Sequence, residues 1–166
     1  MYFCRKYYTM ENIPEYIEGI PTDKMFSRER RMIIKHEYIR LIERLQNTKG
    51  KKAVFNESLQ VEVFIIMRES EKKASNNAAF NWQSTWAVKH LETVIREAVP
   101  KKGEPIYTLP KSSGKQKDFG YVNIATLYYE CRSDDRDYMN FRIKLVLGIK
   151  SEGRHVQYSV NKIEIA

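Results

Sequence analysis

The stretch MNFRIKLVLGIK, residues 139–150, decides the fold because its side chains alternate between apolar and mainly polar without a break. One side is entirely apolar: Met139, Phe141, Ile143, Leu145, Leu147 and Ile149. The opposite side holds Asn140, Arg142, Lys144, Val146, Gly148 and Lys150. Alternation with a period of two is typical of a β-strand with one buried face. The stretch therefore predicts a core strand, and its basic side is a candidate contact surface.

Turns on either side of this strand predict two antiparallel neighbours. A two-residue turn at Glu152-Gly153 pairs three sets of apolar residues, namely Ile149 with Val156, Leu147 with Tyr158 and Leu145 with Val160. Beyond Asn161 the alternation shifts by one residue, which predicts a bulge. The polar turn RSDDRD places Tyr129 opposite Phe141. Residues 121–165 are thus predicted to form a three-stranded antiparallel meander.

The remaining elements follow from periodicity and from residues that begin or end helices. Residues 1–26 are rich in aromatic side chains and contain two prolines, which predicts an irregular aromatic arm. An apolar stripe of helical spacing after Ser27 predicts a helix over 27–46. Residues 60–68 alternate like a strand, and a second stripe ending before Pro100 predicts a helix over 82–98. The length of 166 residues fits one domain, 1–166.

Together these elements predict an α+β fold. Each of the two main helices has an apolar stripe that needs a partner, and the meander offers an apolar face to both. We therefore expect the two main helices to pack on one face of a twisted antiparallel sheet of about four strands, with 60–68 as the fourth strand.

The composition favours an anionic partner and a reducing compartment. The chain has 29 Lys and Arg against 21 Asp and Glu, a formal net charge of +8. This balance makes nucleic acid, RNA or DNA, a candidate partner, with a protein as the alternative. Cys4 and Cys131 are too few for a disulfide scaffold, and no apolar run is long enough to span a membrane. We expect a cytoplasmic protein, in the host cytoplasm if a phage encodes it, that contacts no membrane.

The sequence offers no metal or cofactor motif. Its three histidines share no ligand spacing and have no cysteine or aspartate cluster beside them. Gly114-Lys115 matches part of a phosphate-binding loop, but Leu109 and Gln116 stand where that motif needs glycine and a hydroxyl residue. We therefore expect neither a metal nor a cofactor.

The polar face of the meander is the predicted site. The register places Tyr128 beside Arg142 and Thr126 beside Lys144. The predicted binding residues are Arg142, Lys144, Tyr128, Thr126, Ser159 and Asn161. A metal-free ribonuclease would use the same residue types to move protons and to stabilise charge on the phosphate, and its catalytic candidates are Arg142, Lys144, His155, Tyr128 and Glu62. A face that is merely solvated explains the same composition.

The order of elements over residues 60–166 resembles a known group of domains. An alternating strand, a polar link, the helix WAVKHLETVIREA and a basic loop precede YVNIATLYYE, NFRIKLVLGIKSEG and VQYSVNKIEI. This pattern is similar to the small domains associated with polyvalent proteins of phages and conjugative elements, which resemble the fold of barnase, RelE and colicin-type ribonucleases. The resemblance implies a ribonuclease-like fold and carries over no catalytic residue. Residues 1–59 lie outside it.

Three functions are consistent with these observations. The first is a small basic phage or mobile-element protein that binds nucleic acid or a host protein through the outer face of its sheet. The second is a metal-independent, toxin-like endoribonuclease; on the other two hypotheses the chain is not an enzyme. The third is a virion structural or assembly subunit that docks by its N-terminal arm. The sequence leaves the oligomeric state open.

Overall fold

The computed structural model describes residues 12–112 and 114–164. Its strands are β1 (Tyr16–Ile17), β2 (Ile20–Pro21), β3 (Ala53–Asn56), β4 (Val61–Phe64), β5 (Tyr107–Thr108), β6 (Tyr121–Cys131), β7 (Phe141–Lys150) and β8 (His155–Ile163). Its α-helices are α1 (Ser27–Lys49), α2 (Lys72–Asn77), α3 (Trp82–Lys89), α4 (Leu91–Glu97) and α5 (Lys115–Asp118). Short 3-10 turns lie at Lys24–Phe26 and Asp137–Met139, and a π-helical turn lies at Met67–Glu71.

The main sheet has six strands in the order β3-β4-β8-β7-β6-β5, while β1 and β2 form a separate hairpin. All neighbours in the main sheet are antiparallel except β4 and β8, which are parallel. The chain is α+β, but the expected pair of helices on a four-stranded antiparallel sheet is wrong. Two of the strands, β3 and β5, have only four and two residues, too few for alternation to identify them.

The pairing of β7 with β8 differs from the prediction at one end of the strands. Leu145 lies opposite Val160 and Lys144 opposite Asn161, as the alternation predicts. The turn has three residues instead of two, because the N–H of Lys150 bonds to the Arg154 carbonyl at 2.9 Å. The predicted pairs of Ile149 with Val156 and Leu147 with Tyr158 are therefore wrong, since these two β7 residues pair with His155 and Gln157. The extra residue is Tyr158, so the bulge lies there and not beyond Asn161.

The pairing of β6 with β7 is offset by two residues from the prediction. Phe141 lies opposite Cys131 and not opposite Tyr129, because the 3-10 turn at Asp137–Met139 takes up chain on the β7 side. An even offset keeps every apolar side chain on the same face of the sheet. It does change the neighbours on the other face, where Glu130 comes beside Arg142.

The inner face of the main sheet packs against the helices. Ile143, Leu145 and Leu147 of β7 are fully buried in a cluster that includes side chains of α1, α3 and α4. Buried Tyr38 of α1 donates a hydrogen bond from its hydroxyl to Gln157 Oε1 at 2.7 Å, which ties the longest helix to β8. The predicted helix over 82–98 is two helices, α3 and α4, which meet at His90.

The outer face carries a second, smaller apolar cluster at one end. It is formed by buried Tyr121, Ile124, Val156 and Tyr158, together with Phe64, Ile66, Phe119 and Val146. The Tyr121 ring lies directly over Gly148, where a Cβ atom would come 2.2 Å from a ring carbon. Because of this cluster, the outer face is closed at the Gly148 end and open at the Lys144 end.

The predicted arm, 1–26, is described only from residue 12 onward. Its described part forms the β1–β2 hairpin, whose turn is Glu18-Gly19 with φ of 52° and 82°. The Glu18 carboxylate accepts a hydrogen bond from the Trp86 indole at 3.1 Å and lies 2.7 Å from His90 Nε2. The described part of the predicted arm therefore contains a hairpin that is anchored on α3.

Candidate functional site

A groove of about 520 Å³ lies on the open end of the outer face. Its floor consists of outward side chains of β6, β7 and β8, and its walls come from α2 and from the stretch that runs from Thr108 of β5 into α5. The lining residues are Lys73, Asn77, Thr108, Leu109, Lys111, Gly114, Lys115, Gln116, Ile124, Thr126, Lys144, Val146, Tyr158, Ser159 and Asn161. We refer to this feature as the lysine groove.

The described lining of the lysine groove contains four lysines, Lys73, Lys111, Lys115 and Lys144, and no acidic residue. Within residues 12–112 and 114–164, none of the four forms an ion pair with a carboxylate. A concave surface of low dielectric that collects charge of one sign concentrates the positive potential inside it. The groove can therefore attract and hold an anion.

Each lysine reaches the groove from a different element. Lys144 projects from β7 between Tyr128 of β6 and Asn161 of β8. Lys73 projects from α2, and its ammonium lies 5.1 Å from the centre of the Tyr158 ring. Lys111 stands in the segment that leads to α5, where its backbone N–H donates to Gln116 Oε1 at 2.8 Å. The cations thus surround the groove instead of lying along one wall.

Tyr158 connects the apolar cluster of the outer face to the groove. Burial raises the pKa of its hydroxyl, and the positive charges of Lys111 and Lys115 oppose that rise. Tyr158 therefore remains a neutral phenol at pH 7, able to donate and to accept a hydrogen bond.

A smaller hollow of about 130 Å³ adjoins the groove, and we refer to it as the side pocket. It is lined by Lys72, Lys73, Asn76, Asn77, Lys115, Phe119 and Tyr158. Lys73, Asn77, Lys115 and Tyr158 are common to both hollows. Lys72 adds a fifth lysine that has no carboxylate partner among the described residues.

The predicted binding residues divide into two groups. Four of them line the lysine groove together: Lys144, Thr126, Ser159 and Asn161. Tyr128 and Arg142 line a separate hollow of about 310 Å³ that also contains Glu97 and Glu130. Arg142 donates to Glu130 Oε2 from Nε at 2.9 Å, and the Tyr128 hydroxyl donates to Glu104 Oε1 at 3.0 Å. Both side chains are therefore engaged by carboxylates.

The five catalytic candidates do not converge on one point. Tyr128 and Lys144 are direct cross-strand neighbours, with Arg142 two residues further along β7. His155 pairs with Ile149, five residues from Lys144 and thus about 17 Å along the strand. Glu62 lies on β4, where Lys51 binds its carboxylate at 2.6 Å. The acid and the base that a ribonuclease needs are not assembled around Lys144.

His155 has surroundings that suit a structural role better than proton transfer. Its Nδ1 lies 3.0 Å from the Gly153 carbonyl in the β7–β8 turn, which holds the ring in place. Burial lowers the pKa of its imidazole, so the ring is neutral at pH 7.

Sequence reasoning missed the lysines that come from outside the meander. Lys73 lies in EKKASNN, which reads as a polar link, and Lys111 and Lys115 lie in KSSGKQK, which reads as a basic loop. Their high lysine density was a signal for a binding surface. What the sequence could not provide was the packing of both segments against the Lys144 end of the sheet.

Comparison of the chain with protein-family models, with curated proteins and with solved structures finds no match in any of the three. The resemblance to polyvalent-protein domains and to small ribonucleases therefore stays a prediction. In the part of the chain that the structure describes, no helix is long and apolar enough to cross a membrane.

Proposed function

We propose that this chain binds nucleic acid through the lysine groove. The observation that carries the proposal is the meeting of four lysines from α2, β7, α5 and the segment before α5 in one groove whose described lining has no carboxylate. Clustered ammonium groups repel one another, and a row of phosphates relieves that repulsion and releases counterions. A polyanion is therefore the partner that gains most from this surface.

The convergence of its lysines distinguishes the groove, since a lysine without an ion pair is common in the described part of this chain. Arg142 is bound by Glu130, Lys150 by Glu69 and Lys51 by Glu62. Lysines elsewhere that have no carboxylate partner among the described residues, such as Lys24 and Lys52, stand on separate elements, whereas the groove brings four together. Cations kept away from carboxylates remain available to an external anion.

A protein partner fits the groove less well. Lysine is depleted in protein–protein interfaces, and aromatic and apolar side chains form their buried centres. The groove is instead rich in lysines, amides and hydroxyls, which stand beside a smaller number of apolar side chains such as Ile124 and Val146. Hydroxyl and amide side chains such as Asn161, Ser159 and Thr126 can bond phosphate, sugar and base edges alike.

The proposal is tested by fluorescence anisotropy with labelled twelve-nucleotide single strands of DNA and RNA over a range of salt concentrations. Four phosphate contacts predict a slope of about −2.8 for log K against log salt. A groove variant changes Lys73, Lys111, Lys115 and Lys144 together to Gln. Its affinity should fall at least about tenfold, and its salt slope should become nearly flat.

The matched control changes four exposed lysines outside the groove to Gln: Lys24, Lys35, Lys52 and Lys102. Both variants lower the formal charge of +8 by four, so they separate a site from a general charge effect. Equal losses in the two variants, or no binding of either nucleic acid, would contradict the proposal. Tighter binding of polyglutamate than of the oligonucleotides would assign the groove to an acidic protein instead.

A further inference from the structure

The structure assigns a more specific ligand to this site: a single strand, one of whose bases enters the side pocket while the flanking phosphates lie in the lysine groove. This inference rests on the function proposed above and adds the conformation of the nucleic acid. It follows from the continuity of the two hollows, the chemistry of the side-pocket walls and the size of the side pocket.

Continuity comes from shared side chains. Lys73 and Lys115 line both hollows, so a phosphate held by either ammonium lies beside the side pocket. The base of that nucleotide or of its neighbour is then within reach of the side pocket. A chain of nucleotides can therefore follow the groove with one base turned aside.

Beside its three lysines, the side pocket has walls that suit a base. Phe119 and Tyr158 form an aromatic corner, with ring centres 6.3 Å apart and planes at 72°. Asn76 and Asn77 add side-chain amides, each of which offers both donors and an acceptor. In the orientation that satisfies its contacts, the Asn77 amide oxygen accepts from Lys73 Nζ at 3.2 Å and its NH₂ group donates to the Asn76 carbonyl at 3.3 Å, which leaves one N–H for another acceptor. Aromatic surface beside amides is how proteins hold unpaired bases.

The size of the side pocket limits what can enter. About 130 Å³ equals the liquid volume of roughly four water molecules. That space is about the size of one flat ring system. A base that is paired inside a duplex has its edge occupied and its faces stacked, so it must leave the helix before it can enter. The site therefore favours a strand whose bases are already unpaired.

The test compares three ligands of equal length with the full chain: a twelve-nucleotide oligothymidylate, a fully abasic strand with the same phosphates, and a duplex. Base insertion predicts that the abasic strand binds at least about tenfold more weakly than the oligothymidylate. The duplex should compete more weakly than the single strand at equal phosphate concentration. Equal affinity for the abasic strand and the oligothymidylate, or a duplex that competes as well as the single strand, would overturn the inference.

A substitution in the side pocket tests whether the bases of the oligothymidylate bind there. Asn76→Ala, at an exposed position that lines the side pocket and not the lysine groove, should weaken binding of the oligothymidylate towards the abasic value while binding of the abasic strand stays unchanged. The matched control is Asn47→Ala, on the exposed surface of α1, which should change neither affinity. Thermal melting monitors folding, which a substitution at the exposed Asn76 should leave intact. Loss of binding by both strands in Asn76→Ala, or no loss of oligothymidylate binding, would also overturn the inference.

The two proposals fail in different ways. No binding of any oligonucleotide removes the proposed function together with this inference. Binding of all three ligands with equal strength, abolished in the groove variant, leaves the groove as a phosphate site and removes the base from the side pocket only.

Discussion

The two ends of the outer sheet face belong to the same strands but have opposite surroundings. Near Gly148, the Tyr121 ring covers β7, and Lys150 binds buried Glu69 at 2.9 Å. Near Lys144, the strand borders the lysine groove, whose described lining contains no carboxylate. The alternation of β7 is the same at both ends. An outward lysine of β7 supports the fold where another segment packs a carboxylate against it. It is available to a ligand where no segment does so.

The largest expected effect comes from removing each lysine of β7 in turn. Lys150→Gln leaves Glu69, only 1% exposed, without its ammonium partner, and should lower the free energy of unfolding by about 3 kcal/mol. Lys144→Gln removes a charge that has no carboxylate partner among the described residues and should change stability by less than about 0.5 kcal/mol. Urea denaturation of both variants measures the difference, and equal effects would contradict the contrast between the two ends.

A smaller effect is expected when the covered end is overfilled. Gly148→Ala places a methyl group within 2.4 Å of three carbons of the Tyr121 ring, so the ring must move away from the sheet. Overpacking of this kind should cost about 2 kcal/mol. Tyr121→Leu replaces the opposing ring by a shorter side chain. In that background, Gly148→Ala should leave the free energy of unfolding nearly unchanged. A double-mutant cycle measures the coupling, and strict additivity would show that the ring is not the obstacle.

Features of this arrangement that depend on neighbouring residues could be predicted, whereas those that depend on contacts between distant parts of the chain could not. The inner face followed from alternation alone, because Ile143, Leu145 and Leu147 obey one local rule. The bulge at Tyr158 could not be predicted, since Val156, Tyr158 and Val160 fit an unbroken strand equally well. The aromatic contacts of Tyr158 with Phe119 and Tyr121 accompany that bulge, and both partners lie more than thirty residues earlier in the chain.

The same division holds for the candidate site: the residues of the meander could be predicted, and those from other segments could not. Lys144, Thr126, Ser159 and Asn161 share a face within the meander, so register reasoning brought them together. The error of two residues between β6 and β7 hid the contact of Arg142 with Glu130, which withdraws that arginine from the free cations. Lys73 and Lys111 join the groove only through tertiary packing, which a local pattern does not specify.

The smallest expected effect tests whether Glu130 is what separates Arg142 from the groove. Glu130→Gln removes the charge that holds Arg142 and leaves a cation two residues from Lys144. Affinity for a single strand should rise about threefold, and the salt slope should steepen by up to about 0.7 if Arg142 gains one phosphate contact. Anisotropy titrations measure both quantities, and the double variant Glu130→Gln with Arg142→Gln should return to the affinity of the original chain.

The pH dependence of stability gives an independent check on the same pair. Hydrogen bonding from Arg142 is the main cause that holds the pKa of Glu130 below its ordinary value. A carboxyl with a lowered folded pKa stabilises the fold above its unfolded pKa of about 4.3, and that contribution is lost as the pH falls through the folded value. The stability difference between the original chain and Glu130→Gln should therefore be constant near pH 7 and shrink below about pH 4. A difference that persists unchanged at low pH would mean that it comes from the hydrogen bonds of the neutral groups and not from the charge of Glu130, and the rise in affinity would then need another cause.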